Sequence, residues 1–363
     1  MNRPQIACLS LLLFLPVPAF AQQSNVPAPS APQAPALTAR PAPAPDHGQG
    51  RMQLDVVVTD KSGKPVSGLE PADFTLLDDK LPAKILSLHA VEATNQPADP
   101  PAEAILLIDA VNLPFQQVAI ERQGIEKFLR ENGGRLAVPV AIDLFTDEGV
   151  KVRIKHSSDG NALAANLSQV DAGLRVIGRS AGAAGATERF NDSIRIFTAL
   201  AKNYAQLPGK KLLIWVGPGW PMLDGVNFYM SNKEQQMLFD RIVELSTILR
   251  QGRISVYSIS TAEFAGPTSN AYLGFLKSVN AAAKSNPGNL DLKVLVVQSG
   301  GRVLLGNDLS SQIDSCVQDA GAFYTLSFDP PRADRQNEYH DLKVQIDKLG
   351  IAARTSTGYY NQP

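Results

Sequence analysis

The chain has 363 residues, enough for two or three domains with a sizeable buried core. Hydrophobic residues make up 44% and charged residues 19%, the balance of a globular protein and not of a disordered or fibrous one. Lys and Arg number 34 against 35 Asp and Glu, a net charge of -1, which excludes the broad basic surface that nucleic acid or anionic lipid would draw on.

The chain opens as an export signal. Arg3 supplies a positive start, Ile6 to Leu15 a short apolar run, and Ala19-Phe20-Ala21 a small-x-small cleavage site, so cleavage is expected after Ala21. The apolar run is too short for a stable bilayer-spanning helix, and no later segment reads as one. The expected location is therefore periplasmic or extracellular. Cys8 lies inside the signal, which leaves Cys316 alone and without an internal disulfide partner. Cys316 falls in a predicted helix, where a small buried thiol is expected and not a nucleophile.

Residues 22–50 alternate Pro and Ala, as in Arg40-Pro41-Ala42-Pro43-Ala44-Pro45. Such a tract has too little apolar bulk to fold and favours extended polyproline conformations. It reads as a stalk; a proline-rich ligand for a groove is the alternative. Residues 51–95 read as a small β module: a strand at 53–59, a turn at Asp60-Lys61-Ser62-Gly63, and short strands at 74–77 and 85–88 joined by a turn at Asp78-Asp79-Lys80.

From residue 103 to 320 strands and helices alternate. Ala104 to Ile108 is an all-apolar run, as a central parallel strand covered on both faces should be. A helix is expected over 116–132, closed by Gly133-Gly134. A strand over 138–145 turns through Asp147-Glu148-Gly149 into an antiparallel edge partner at 150–154. Thr187 is expected to open a helix with Phe190, Ile194, Phe197, Ala201 and Tyr204 on one face. Strands at 211–216 and 254–259 alternate with helices at 233–251 and 308–320. The run 292–297 is too short for periodicity to assign. Residues 321–363 return to β, with strands at 323–328, 341–346 and 351–360. The fold class is thus α/β, a doubly wound and mostly parallel sheet, flanked by small β segments expected to form a β-sandwich.

Several pieces together resemble a von Willebrand factor type A domain: Ile105-Leu106-Leu107-Ile108-Asp109, a buried strand ending in an acid; Gly185-Ala186-Thr187 at a helix start; Leu212-Leu213-Ile214-Trp215-Val216-Gly217; and Val256-Tyr257-Ser258-Ile259 followed by Gly300-Gly301-Arg302. The resemblance covers roughly 104–320. The flanks, with Val57-Val58-Thr59-Asp60 and Asp73-Phe74 at one end and Tyr324-Thr325-Leu326-Ser327-Phe328-Asp329-Pro330 and Ser356-Thr357-Gly358-Tyr359-Tyr360 at the other, resemble the secreted members of the acidobacterial type. The resemblance implies a protein-binding or adhesion role and no general activity.

It also implies a divalent-cation site at the C-terminal end of the sheet, built on Asp-x-Ser-x-Ser, a Thr and a second Asp. Here the first loop reads Asp109-Ala110-Val111-Asn112-Leu113, and Val111 and Leu113 stand where the two Ser would be. Thr187 matches the Thr, but Gly217-Pro218-Gly219 stands where the second acid would come. Asp109, Asn112 and Thr187 are the residual candidates. They offer too few oxygens for Mg²⁺ or Ca²⁺, so no metal and no cofactor are expected. Asp109 and Thr187 are expected to serve hydrogen bonding between loops.

Gly178-Arg179-Ser180-Ala181-Gly182 matches the nucleophile-elbow pattern but lacks the strong preceding strand, and His89, His156 and His340 show no evident partner for Ser180. Pro208-Gly209-Lys210-Lys211 precedes a strand, the wrong order for a phosphate loop. The favoured reading is an exported, non-enzymatic module that binds a protein in the envelope or outside the cell, with Trp220, Met222, Phe228 and Tyr229 of the 217–232 loop either as the contact residues or folded down as a lid over the loop crevice. The alternatives are a serine hydrolase using Ser180 and a structural envelope component.

Overall fold

The computed structural model describes residues 50–92, 102–170, 182–223, 230–261 and 270–363. The signal and stalk, Ser180, Phe228 and Tyr229 lie outside them. Their centre is a six-stranded sheet formed by β5 (Glu103–Asp109), β6 (Arg135–Thr146), β7 (Gly149–Asp159), β8 (Lys211–Val216), β9 (Ile254–Ser260) and β10 (Val303–Leu305), in the order β10-β9-β8-β5-β6-β7. All neighbours run parallel except β6 and β7, the hairpin read from Asp147-Glu148-Gly149. Six helices pack on it: α1 (Phe115–Arg130), α2 (Gly160–Gln169), α3 (Gly182–Tyr204), α4 (Asn232–Gln251), α5 (Leu292–Gln298) and α6 (Leu309–Gly321).

The all-apolar β5 is central for a physical reason. Ile105 and Leu107 enter one core with α3 and α4, while Leu106 and Ile108 enter the other with α1, α2 and α6. All four are fully buried, and each contributes about 1.5–3 kcal/mol of transfer free energy. Cys316 is free and buried on α6, and burial pushes its thiol up to about 12, so it is inert packing.

The two flanking segments fold together. β1 (Met52–Asp60) pairs antiparallel with β11 (Ala322–Phe328) and β13 (Ile351–Arg354), and β4 (Ser87–Glu92) pairs with β11. The facing sheet is β14 (Gly358–Asn361), β12 (Glu338–Ile346), β2 (Phe74–Asp78) and β3 (Leu81–Ala83). Leu54, Val56 and Val58 of β1 meet Phe74, Leu76, Leu342, Val344 and Tyr359 across a shared core. The alternate face of the first sheet is covered too, since Val57 and Phe323 join the α/β core. Neither segment could bury both faces alone, which is why the chain returns to β after α6.

The structure departs from the expected elements at several places, and it decides the run left open at 292–297; the strand expected at 351–360 is two, β13 and β14, which join different sheets. The strand expected at 85–88 is β4 at 87–92, and it leaves the Asp78-Asp79-Lys80 hairpin to join the other sheet, where Leu88 lies opposite Leu326. α2, capped by the Asp159 carboxylate on Ala162 N, follows β7 directly. The short run at 292–297 is helical, capped by Asp291. α3 starts at Gly182, so Thr187 lies in its second turn and does not open it.

Candidate functional site

The C-terminal end of the central strands carries the residues singled out by the resemblance. β5 delivers Asp109 there, fully buried. Its Oδ1 accepts from Val111 N at 3.0 Å and Asn112 N at 2.9 Å. Its Oδ2 accepts from Asn112 Nδ2 at 2.9 Å and Trp215 Nε1 at 3.0 Å. Four donors thus occupy both oxygens of one carboxylate. Burial pushes the Asp109 pKa upward, and the bonds from Asn112, Trp215 and Val111 oppose that shift.

The surroundings are built to close over it. Val111 and Leu113 are not idle substitutes for hydroxyls; both are buried, one in each core. Gly217 follows β8 at φ +141°, and a Cβ there would sit 3.0 Å from Asp109 Cβ and 3.3 Å from Leu113. Glycine is what lets this loop press directly against the acid. A cation would have to displace protein donors and supply most of its shell from elsewhere, so these residues do not fit a hard divalent ion.

Thr187 is not part of this arrangement. Its hydroxyl donates to Ala183 O at 2.9 Å, within its own helix, so the expected bonding between Asp109 and Thr187 is replaced. The link from the first loop to α3 is made instead by Asn112 Nδ2, which donates to Ser193 Oγ at 3.1 Å. The amide thereby bridges Asp109 and a fully buried Ser, while Asn112 Oδ1 stays buried without a partner.

Beside Asp109 lies a residue that sequence reading missed. Glu121 on α1 is fully buried, and neither carboxylate oxygen has a partner. Burial, reinforced by the Asp109 charge and only partly opposed by the Gln117 amide, pushes its pKa up to about 9, so it carries a proton at neutral pH. Val118, Glu121, Ile125 and Phe128 share the inward face of α1, with the spacing of a core stripe. An acid at a stripe position was the available signal. Next to it, Gln117 Nε2 donates to Thr261 Oγ1 at 3.0 Å, joining α1 to the end of β9.

The expected partner contacts are corrected in part. Trp220 is not an exposed anchor. It is 4% exposed, its Nε1 donates to Leu290 O at 2.9 Å, and its ring meets Trp215 edge-on at 5.2 Å and Phe197 at 5.7 Å. It folds down because Gly219, at φ +80°, turns the loop back against Leu292. Met222 is half-buried.

A second cluster of ligand-type side chains sits in the β-sandwich. His340 Nδ1 lies 2.9 Å from Asp78 Oδ1 and 3.4 Å from Asp79 Oδ2. Tyr359 donates to Asp78 Oδ2 at 2.7 Å and stacks on the His340 ring at 4.9 Å. One nitrogen and two oxygens match a three-ligand set for a borderline divalent ion. In this structure the same atoms form a hydrogen-bonded chain that ties β2, β12 and β14 together. The other histidines are also placed away from the α/β loops: His156 pairs with Glu103 at 3.1 Å, and His89 is exposed on β4.

No family model matches the chain, and no curated protein does. Among solved structures the chain is similar to the pilus adhesin SpaC from Lactobacillus rhamnosus GG in its open conformation, at 11% identity and TM-score 0.34, covering 81% of this chain and 48% of that one. A second form of the same adhesin gives 10% identity and TM-score 0.32 over the same shares. The chain spans about half the length of that adhesin, and an overlap this loose sets up no residue-by-residue correspondence.

Proposed function

We propose that the protein is an exported, non-enzymatic binding module that engages a protein partner through the loop end of its α/β sheet. The observation that carries this is the closed state of Asp109. The one acid positioned for chemistry is buried, fully occupied by protein donors and walled by Val111, Leu113 and Gly217. Among the described residues, the loop end around Asp109 supports recognition by surface contact better than chemistry at that acid. In open α/β sheets ligands meet the carboxyl ends of the strands. That end displays separate apolar side chains: Phe115 at the start of α1 is 43% exposed, Met237 near the start of α4 is 57%, and Leu305 at the end of β10 is 46%. Met222, in the segment that follows β8, is at the same end, while Phe228 and Tyr229 lie outside the described residues. No described helix is long and apolar enough to cross a membrane.

The test is site-specific photocrosslinking in the envelope fraction. A photoreactive residue at 115, 237 or 305 should yield a discrete protein adduct. One at Leu81 or Leu349, exposed but in the β-sandwich, should not. Equal adducts at both sets would refute the assignment. A serine-directed probe that labels the native chain and not Ser180→Ala would instead establish the hydrolase reading.

A further inference from the structure

Where α4 ends against the β-sandwich, one guanidinium has no partner. Arg250 sits in the last turn of α4, partly buried, and among the described residues it makes no hydrogen bond or ion pair. Burial holds its pKa below the ordinary arginine value. Nearby cations are compensated. Arg253 holds both oxygens of Asp55, at 2.7 and 3.0 Å, and Thr325 takes a third bond to that carboxylate. Asp55 is thus engaged by Arg253 and Thr325 and forms no ion pair with Arg250.

Two narrow clefts flank Arg250 and share it, together with Leu249, Ser299 and Ser356. One is completed by Ser246 and Gln298; the other by Gln53, Ser255 and the Asp55–Arg253 pair, so the first, which no carboxylate lines, is the one suited to an anion. The hydroxyls of Ser246, Ser255 and Ser356 make no hydrogen bond within the described residues. Gln298 is turned away from the donor set, since its Nε2 is spent on Ser278 Oγ and Leu276 O. Adjacent in the chain, Thr355 Oγ1 is buried without a partner.

An unpaired guanidinium among free hydroxyls is the donor set that recognises an oxyanion, because a planar fork meets two oxygens and hydroxyls supply the rest. We propose that the Arg250 cleft is a binding site for a single small oxyanion, sulfate, phosphate or a carboxylate, held between the α/β domain and the β-sandwich. The occupant would touch α4 on one side and the β13–β14 connection at Ser356 on the other, and so would fasten the two parts together. This site is independent of the loop end and stands or falls apart from the proposed binding function.

The test uses the full chain and its thermal midpoint, with sodium sulfate, inorganic phosphate and sodium acetate each compared against chloride at equal ionic strength. Sulfate stabilises proteins generally, but that effect is not saturable at one site. The expected result is a saturable rise with at least one of the three. Its apparent affinity should fall at least about tenfold in Arg250→Gln and several-fold in Ser356→Ala, since a hydrogen bond to a charged group is being removed. Saturation by acetate alone assigns the site to a carboxylate, and saturation by sulfate or phosphate to an inorganic anion. A response that is linear, or equal in wild type and Arg250→Gln, overturns the proposal. If Arg250→Gln does not fold by circular dichroism, Ser356→Ala and Ser246→Ala decide it, and unchanged affinity in both overturns it equally.

Discussion

Replacing Glu121 by Gln should stabilise the protein at neutral pH, and by an amount that grows with pH. The side chain is fully buried, its oxygens have no partner, and Asp109 beside it is already saturated with donors. Its folded pKa is about 9 against an ordinary glutamate value of 4.5. Below pH 4.5 both states are protonated, and the group adds no pH dependence. Above it the unfolded chain releases the proton and the folded chain keeps it. The folded state then binds more protons, and stability falls by about 1.4 kcal/mol per pH unit until the folded pKa is reached. By pH 7 the accumulated loss is about 3 kcal/mol on that slope. Gln keeps the shape and has no proton to lose. Urea unfolding of both proteins at pH 4.5, 6, 7 and 8 reads the difference directly, since titrations not coupled to Glu121 cancel in it. The two should be close at pH 4.5 and diverge steadily above. Parallel curves would refute the reasoning, because they would mean that Glu121 is ionised in the fold and compensated by a group not considered.

Trp220→Ala should cost about 3–5 kcal/mol and lower the thermal midpoint, because the indole fills the core against Trp215 and Phe197; an unchanged midpoint would restore it as a surface anchor. Arg354→Ala should cost about 3–5 kcal/mol in chemical denaturation, since it leaves the Asp319 carboxylate, now shared at 2.9 Å, buried beside only Arg302 and Tyr257; a loss under about 1 kcal/mol would show the pair to be solvent-screened. Calorimetry with Mg²⁺, Mn²⁺ and Ca²⁺ should show no saturable heat in the micromolar range, and stoichiometric uptake abolished by Asp109→Ala would contradict the closed site. Deleting residues 322–363 removes the strands that pair with β1 and β2, so limited proteolysis should cut first within 52–92; full protection there would mean the N-terminal strands are held by the α/β domain alone.

The fold was legible wherever one period dominated. Ala104 to Ile108 could only be a strand covered on both faces, and Phe190, Ile194, Phe197, Ala201 and Tyr204 could only be a helix face, as the buried positions of α3 show. The alternation in Leu54-Val56-Val58 and Leu342-Val344-Ile346 was equally plain, and these residues do face one core. Which strand each pairs with was not readable, because β4 leaves its apparent hairpin partner for a strand more than 230 residues further on. The site was legible as a list of substitutions and not as an arrangement. Val111 and Leu113 announced that ligands were missing, but not that Trp215 and Asn112 had taken their place as donors. An indole in an apolar strand is indistinguishable from packing until its nitrogen is seen to reach a carboxylate. Trp220 misled for the related reason that a loop aromatic carries no sign of which way the loop turns, and two glycines at positive φ turn this one inward.

The position of the β-sandwich bears on how the loop end is presented. Arg253, which reaches Asp55 of β1, lies immediately before β9, and Lys210, whose ammonium sits 4.3 Å over the Phe323 ring of β11, lies immediately before β8. Both contacts are therefore made at the N-terminal ends of the parallel strands. Tyr360 of β14 adds a further contact along α4, where it meets Phe239. These contacts involve charged groups that are largely removed from water, with Lys210 pushed down to about 8 by its burial. A junction of this kind is costly to break partially, because each group left behind is desolvated and unpaired. It resists hinge motion for the same reason. β1, the first described strand, and β14, the last, both belong to the sandwich, so the α/β domain is inserted within it. Tyr360 Oη also donates to Val279 O at 2.7 Å, in the segment that follows β9, so β14 is tied to the α/β domain at more than the N-terminal ends of its strands.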